Sequence, residues 1–157
     1  PYGKAWSTLG LPLEYTTQDS CAFYKSQAVL DSFGGVVLSK SEGGRIAEKL
    51  GDNKLIVLQN HGLFACGLTV RLLWDLTDIA STYRTVGRTI DSAVAWFLLA
   101  EEQCKVSLLA RAAGQPIPIS DEEAEFTSHT GKEEAGFFLA SPYFQVAEQK
   151  WGKEVRA

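Results

Sequence analysis

Methionine is absent from the 157 residues, histidine occurs only twice and cysteine only three times. Translation starts at methionine, so a chain that opens on Pro1 is expected to be a processed product or the edge of something longer. Cys21, Cys66 and Cys104 form no CxxC pair and are odd in number, which argues against a disulfide scaffold. They read as small buried hydrophobes of a protein kept in a reducing, cytoplasmic compartment. No basic segment followed by an apolar stretch marks a secretory signal. The longest apolar runs, residues 55–58 and 93–100, fall far short of the roughly 18–20 residues that cross a bilayer, which excludes membrane insertion.

Positive charge is also scarce. Fifteen Lys and Arg against nineteen Asp and Glu leave a net charge of −4, which argues against a nucleic-acid surface or an anionic membrane as partner. The dinucleotide and P-loop glycine patterns are missing, as are HExxH, HxH, EF-hand and GxSxG patterns. With 45% hydrophobic and 22% charged residues the composition is that of one globular domain, not a disordered or fibrous chain.

What is present is an alternation of strands and helices. Gly10 and Pro12 speak against a long helix at the start. Residues 21–33 are either a short strand or a helical turn, and residues 36–38 (VVL) read as a strand. A helix is expected over 41–50, capped by Ser39 or Ser41 and stopped by Gly51. Residues 54–59 (KLIVLQ) are the clearest strand, buried because its apolar residues run without alternation. Asn60-His61-Gly62 is a turn into a second strand at 63–66, giving a hairpin-like pair. From Thr89 to Ala113 apolar residues return at three- and four-residue spacing, with Val94, Phe97, Leu98, Cys104 and Leu108 on one stripe. Gly114 ends that helix, Ser120 opens a capping box with Glu123, and a last helix is expected from Pro142 to Trp151. The order defines an α/β class. Residues 67–86 fit neither element.

The strongest chemical candidate is His61. A histidine in a glycine-flanked turn at the end of a buried strand projects from a rigid element, and can ligate a divalent metal through one nitrogen. The alternative is a hydrogen-bonded turn residue. His129 lies in a polar stretch and reads as exposed. The pairs Glu101-Glu102 and Glu122-Glu123 read as solvated helix faces, with Glu101 pairing to Lys105 one turn on. Phe137, Phe138, Tyr143 and Phe144 read as packing or as a subunit contact.

The block LIVLQNHGLFACG, followed after a gap by GRTIDSAVAWFLLAEEQCKVSLLA, resembles the class II aldolase/adducin family. The blocks YGKAWS, TQDSCAFY, FGGVVL and EAGFFLASPYFQVAE are similar to its adducin-like, especially fungal, members. The resemblance implies a single domain over 1–157 with a three-layer α/β/α sandwich around a mainly antiparallel sheet, and often a homo-oligomeric tetramer. It implies zinc or another divalent metal held by three histidines, an HxH pair and a third in the NHG turn, which His61 matches. In such enzymes the metal polarises a carbonyl and stabilises an enediolate during aldol cleavage or epimerisation of a small sugar phosphate or related hydroxy-carbonyl substrate. Lys4 and Ser7 would line the cleft, Tyr15 and Tyr24 would reach a neighbouring subunit's site, and Cys66 would face the core.

The HxH pair of such proteins falls just before the YGKAWS block and is not among these residues, so the chain is expected to be inactive alone. Deleting residues 67–86 closes the family pattern, so that segment is expected to be an insertion or a gene-model artefact. The alternative implied by the adducin side of the family is a non-catalytic module that binds actin or other cytoskeletal proteins.

Overall fold

Four consecutive apolar residues, Leu55–Leu58, are all buried and form the central strand β2. The computed structural model describes residues 1–34, 40–66 and 90–152; the expected strand at 36–38 and the segment 67–86 lie outside the described residues. Strand β1 (Gln27–Leu30) runs parallel to β2 with Gln27 opposite Leu55 and Leu30 opposite Leu58. Strand β3 (Gly62–Ala65) runs antiparallel on the other side, Leu55 facing Ala65 and Leu58 facing Gly62. The described sheet is therefore mixed, in the order β1-β2-β3.

Alternation along β2 serves two cores. Leu55 and Val57 pack with Trp6, Leu13, Phe23, Trp96 and Cys104. Ile56 and Leu58 point the other way and meet Leu30, Leu50 and Cys66. Helices α1 (Tyr2–Ser7) and α3 (Ile90–Ala113) cover the first face, and α2 (Lys40–Leu50) covers the second. This is the α/β/α layering that a strand without polar alternation requires, because both of its faces must leave water. The parallel pair β1-β2 needs a crossover connection, and α2 lies within it. Gly51, at φ +52°, ends α2 with its N–H on the Ala47 carbonyl at 3.0 Å, in the left-handed conformation that glycine adopts without a Cβ penalty.

The ambiguity at 21–33 resolves into both alternatives, a 3-10 turn at Asp19–Phe23 and then β1. Helix α3 forms where expected, but its buried residues are Ser92, Ala95, Trp96, Ala100, Gln103, Cys104 and Ser107. Phe97 and Leu98 are exposed. Small residues on the inner stripe let α1 and the last helix (α5, Glu133–Trp151) come close, and that geometry decides the face ahead of hydrophobicity.

The capping box forms as the sequence predicts. Ser120 Oγ accepts the Glu123 N–H at 3.3 Å, and a Glu123 carboxylate oxygen accepts the Ser120 N–H at 3.4 Å, opening α4 (Asp121–Thr127). The last helix does not begin at Pro142. Helix α5 spans Glu133–Trp151 with Pro142 inside it. Its first half is fixed by packing: a Cβ on Gly136 would stand 2.8 Å from Trp96 Cζ2 and 2.9 Å from Ser92 Cβ. That contact with α3 outweighs the helix-breaking tendency of proline, which sits on the exposed side.

Candidate functional site

The chain leaves β2 through a tight turn that presents His61. Asn60 takes φ 61° and Gly62 φ 148°, values that Asn tolerates and that glycine alone adopts readily. The His61 N–H donates to the Leu58 carbonyl at 2.9 Å, and the Asn60 N–H donates to the Ser7 carbonyl at 3.1 Å. Backbone geometry thus accounts for Asn60 and Gly62. It does not account for the imidazole, which is exposed and makes no hydrogen bond among the described residues.

Helix α1 lies against this turn. Lys4 Cγ is 3.7 Å from where a Gly62 Cβ would stand, and a Cβ on Gly3 would lie 2.6 Å from Leu63 Cδ1. The Glu101 carboxylate of α3 then clamps the start of α1, accepting the N–H groups of Tyr2 and Gly3 at 2.6 Å each. Burial raises its pKa, but the Pro1 amine and the Gly3 and Tyr2 N–H groups outweigh that and hold the carboxyl below its usual range. Glu101 is consequently not a solvated partner of Lys105. The lysine pairs with Glu102 at 3.5 Å and lies over the Tyr2 ring, because the open donors at the start of α1 compete better for Glu101.

On the opposite side of His61 the loop after β1 and the start of α2 form a shallow depression with Ser32, Phe33, Gly34, Glu42 and Gln59 in its wall. Beside it the Arg45 guanidinium donates to both Glu42 carboxylate oxygens, at 2.6 and 3.2 Å, and to Ser32 Oγ at 2.6 Å.

Other expected site residues divide clearly. Lys4 is exposed beside the turn. Ser7 is fully buried, its hydroxyl donating to the Lys4 carbonyl at 2.8 Å, so it supports the turn from beneath and does not line a cleft. Cys66 is buried in the core on the α2 side, as expected, and burial pushes its thiol up to about 11. Tyr15 and Tyr24 stack edge to face at 5.1 Å, with Gln27 donating to the Tyr15 hydroxyl at 2.8 Å. Burial, then the Asp121 carboxylate, raises the Tyr24 phenol. His129 is exposed beside Phe126. Sequence reasoning missed the roles of Glu101 and Arg45; only the i, i+3 spacing of Glu42 and Arg45 offered a signal.

Among the described residues, no three His, Cys, Asp or Glu side chains converge on a point that would hold a metal. A catalytic metal takes about three protein ligands. His61 is one donor of the right chemistry, and the described residues do not by themselves complete a centre. No helix among them is long and apolar enough to cross a membrane.

The layered fold with a histidine turn at the end of its central strand is that of the class II aldolases. Residues 1–82 match the family model described as the Class II Aldolase and Adducin N-terminal domain. An L-fuculose 1-phosphate aldolase from Glaciozyma antarctica PI12 is 47% identical, with a TM-score of 0.76 over 100% of this chain and 52% of its own. The decarboxylase NovR of Streptomyces niveus is 40% identical over 126 residues, 80% of this chain and 39% of NovR. A 4-hydroxy-3-prenylphenylpyruvate oxygenase/4-hydroxy-3-prenylbenzoate synthase of Streptomyces roseochromogenus subsp. oscitans is also 40% identical, over 80% of this chain and 38% of its length. The chain belongs to the class II aldolase and adducin family. It spans about two-fifths of the length of these two curated relatives.

Proposed function

We propose that the complete protein is a divalent-metal-dependent lyase or epimerase that breaks or remakes a C–C bond beside a carbonyl, with His61 as one ligand of a zinc-type ion. The observation that carries this reading is the exposed, unbonded imidazole at the end of a fully buried strand. The turn backbone needs Asn60 and Gly62 but has no use for the ring. Packing of α1 beside Gly62 brings Lys4 to the same place. The remaining ligands and an acid/base group are assigned to parts of the protein outside the described residues. Aldolase and decarboxylase, the activities in the relatives' names, both break a C–C bond, so the reaction class is better supported than a sugar-phosphate substrate. The exposed stripe of Leu139, Tyr143 and Val146 on α5 suits the subunit contact of a tetramer, and a cytoplasmic location follows the buried free thiols.

The test is to assay the full-length protein for release of an aldehyde from sugar phosphates and of carbon dioxide from 2-keto acids. Either product, lost in His61→Ala, supports the reading. A folded, metal-supplemented protein that yields neither, and that captures actin or another cytoskeletal partner, overturns it in favour of the adducin-type module.

Residues 67–86 are part of this proposal as an interruption within a single domain over 1–157. Removing these twenty residues joins QNHGLFAC to GRTIDSAVAWF. Sequencing of the cloned transcript should return a message without the segment, and a message that retains it makes it genuine protein.

A further inference from the structure

Strand β3 has no neighbour on its far side among the described residues, and that free edge is lined with apolar groups. The Cys66 N–H donates to the Lys54 carbonyl at 2.8 Å, in register with Leu55 opposite Ala65. Bonded and non-bonded residues alternate along an antiparallel pair. Phe64 therefore turns its N–H and C=O toward β2, and Leu63 and Ala65 turn theirs outward. No described residue pairs with those outward groups, although Leu63 and Ala65 are half-buried. Backbone groups withdrawn from water are almost always paired.

A hollow of about 300 Å³ runs along this edge, walled by Leu63, Phe64 and Ala65 on one side and by Val94, Phe97 and Leu98 of α3 on the other. Successive strand residues point to opposite faces, so three in a row border one hollow only where it meets the strand's edge. Its volume is roughly ten times a water molecule's share of the liquid. Phe97 and Leu98, 44% and 36% exposed, are the residues that leave the buried stripe expected of α3. That helix packs on α1, α5 and β3 and is still apolar where it faces the hollow. A helix apolar all round is one covered all round.

We propose that the hollow seats a further β-strand, supplied by the part of the same polypeptide that lies beyond residues 1–157, so that β3 is an interior strand of the complete sheet. The incoming strand pairs with the outward N–H and C=O groups of Leu63 and Ala65. It is apolar on both faces, because one covers Phe97 and Leu98 and the other continues the layer of Phe64, which lies opposite Ile56. Length supports this occupant: the residues described here correspond to 52% of the solved L-fuculose 1-phosphate aldolase chain, which leaves about half of that fold to be placed. A second copy fits less well. Two outward residues and one small hollow fall short of the roughly 1,000 Å² that a specific interface between separate chains buries, whereas a tethered segment arrives at high effective concentration. Since β3 starts one residue after His61, the seated strand lies alongside the turn that presents the imidazole. The seat is independent of the reaction proposed above, because an enzyme and a binding module must both complete the sheet.

The experiment uses the full-length protein with the photoreactive p-benzoylphenylalanine in place of Phe97, an aromatic exchange at an exposed position. Ordinary and isotopically labelled protein are mixed and irradiated, and peptide mass spectrometry then shows which residue is joined to position 97 and from which chain. The expected product is a crosslink within one chain to a peptide outside residues 1–157. In the unmodified full-length protein, the Leu63 and Ala65 amides should be protected from hydrogen exchange as well as that of Phe64. Phe97→Asp, nearly neutral at an exposed site, should lower the melting temperature by about 4 °C or more if the ring is covered. A crosslink to a neighbouring copy gives the edge to a dimer contact and overturns the proposal, as does a crosslink to any residue within 1–157. Leu63 and Ala65 amides that exchange as fast as those of an exposed loop overturn it too, and so does a Phe97→Asp protein that melts with the wild type.

Discussion

Glu101 accepts the backbone N–H of Gly3 at 2.6 Å across 98 residues of sequence, and so binds the start of the first helix to the middle of the longest. Gly3 permits this approach because a Cβ there would lie 2.7 Å from the same carboxylate oxygen. The helix held in this way is the one packed against the His61 turn, so a side chain on α3 contributes to the shape of the candidate site without entering it.

Removal of that carboxylate should be costly. Hydrogen bonds to charged groups are worth about 1.5–3 kcal/mol each, so Glu101→Ala should lower unfolding stability by about 2–3 kcal/mol in a denaturant titration. Glu101→Gln should lose less, since the amide oxygen still accepts one N–H. The pH dependence has a definite sign. Glu101 has its folded pKa held below that of an ordinary carboxyl, so its contribution is fully present above the unfolded value. It is lost as pH falls through the lower folded value. Stability measured from pH 6 downward should therefore fall more steeply in wild type than in Glu101→Gln, and parallel curves would contradict the clamp.

The three thiols should resist modification. Cys21, Cys66 and Cys104 are free and buried, and burial pushes Cys66 up to about 11 and Cys104 up to about 12. A thiolate is the reactive form, so an aromatic disulfide reagent at pH 8 should label the native protein slowly and all three sites at once after denaturation. Rapid labelling of a native thiol would contradict the packing of the core that holds it.

Pro142 sits within α5, where proline costs roughly 3 kcal/mol relative to alanine in a helix interior. Pro142→Ala should therefore raise stability by about 1–3 kcal/mol, read as a higher melting temperature. A lower one would mean that the ring supplies a contact worth more than the missing N–H.

Legibility followed the strength of local signals. The run at 54–59, the Gly51 stop and the Ser120–Glu123 box were readable because each is decided by residues adjacent in sequence. The extent of α5 was not, because Gly136 docks on Trp96 of α3 and overrides proline through a contact forty residues distant. Glu101 was misread for the same reason. Its spacing to Lys105 is local, whereas its true partners are backbone groups at the other end of the chain. His61 stood out through the rarity of histidine and the chemistry of its turn. Arg45 did not, because its contacts arise only when Ser32 and Gly34 are brought against α2.

His61→Ala should leave stability within about 0.5 kcal/mol of wild type, since the ring is exposed and unbonded among the described residues. That neutrality makes the decisive measurement clean. Full-length protein and its His61→Ala variant, purified side by side, are analysed for bound metal by plasma mass spectrometry. About one zinc-type ion per chain in the wild type, lost in a variant that melts at the same temperature, is the predicted result. A wild-type protein without metal, or a variant that keeps it, would contradict the assignment of His61 as a ligand.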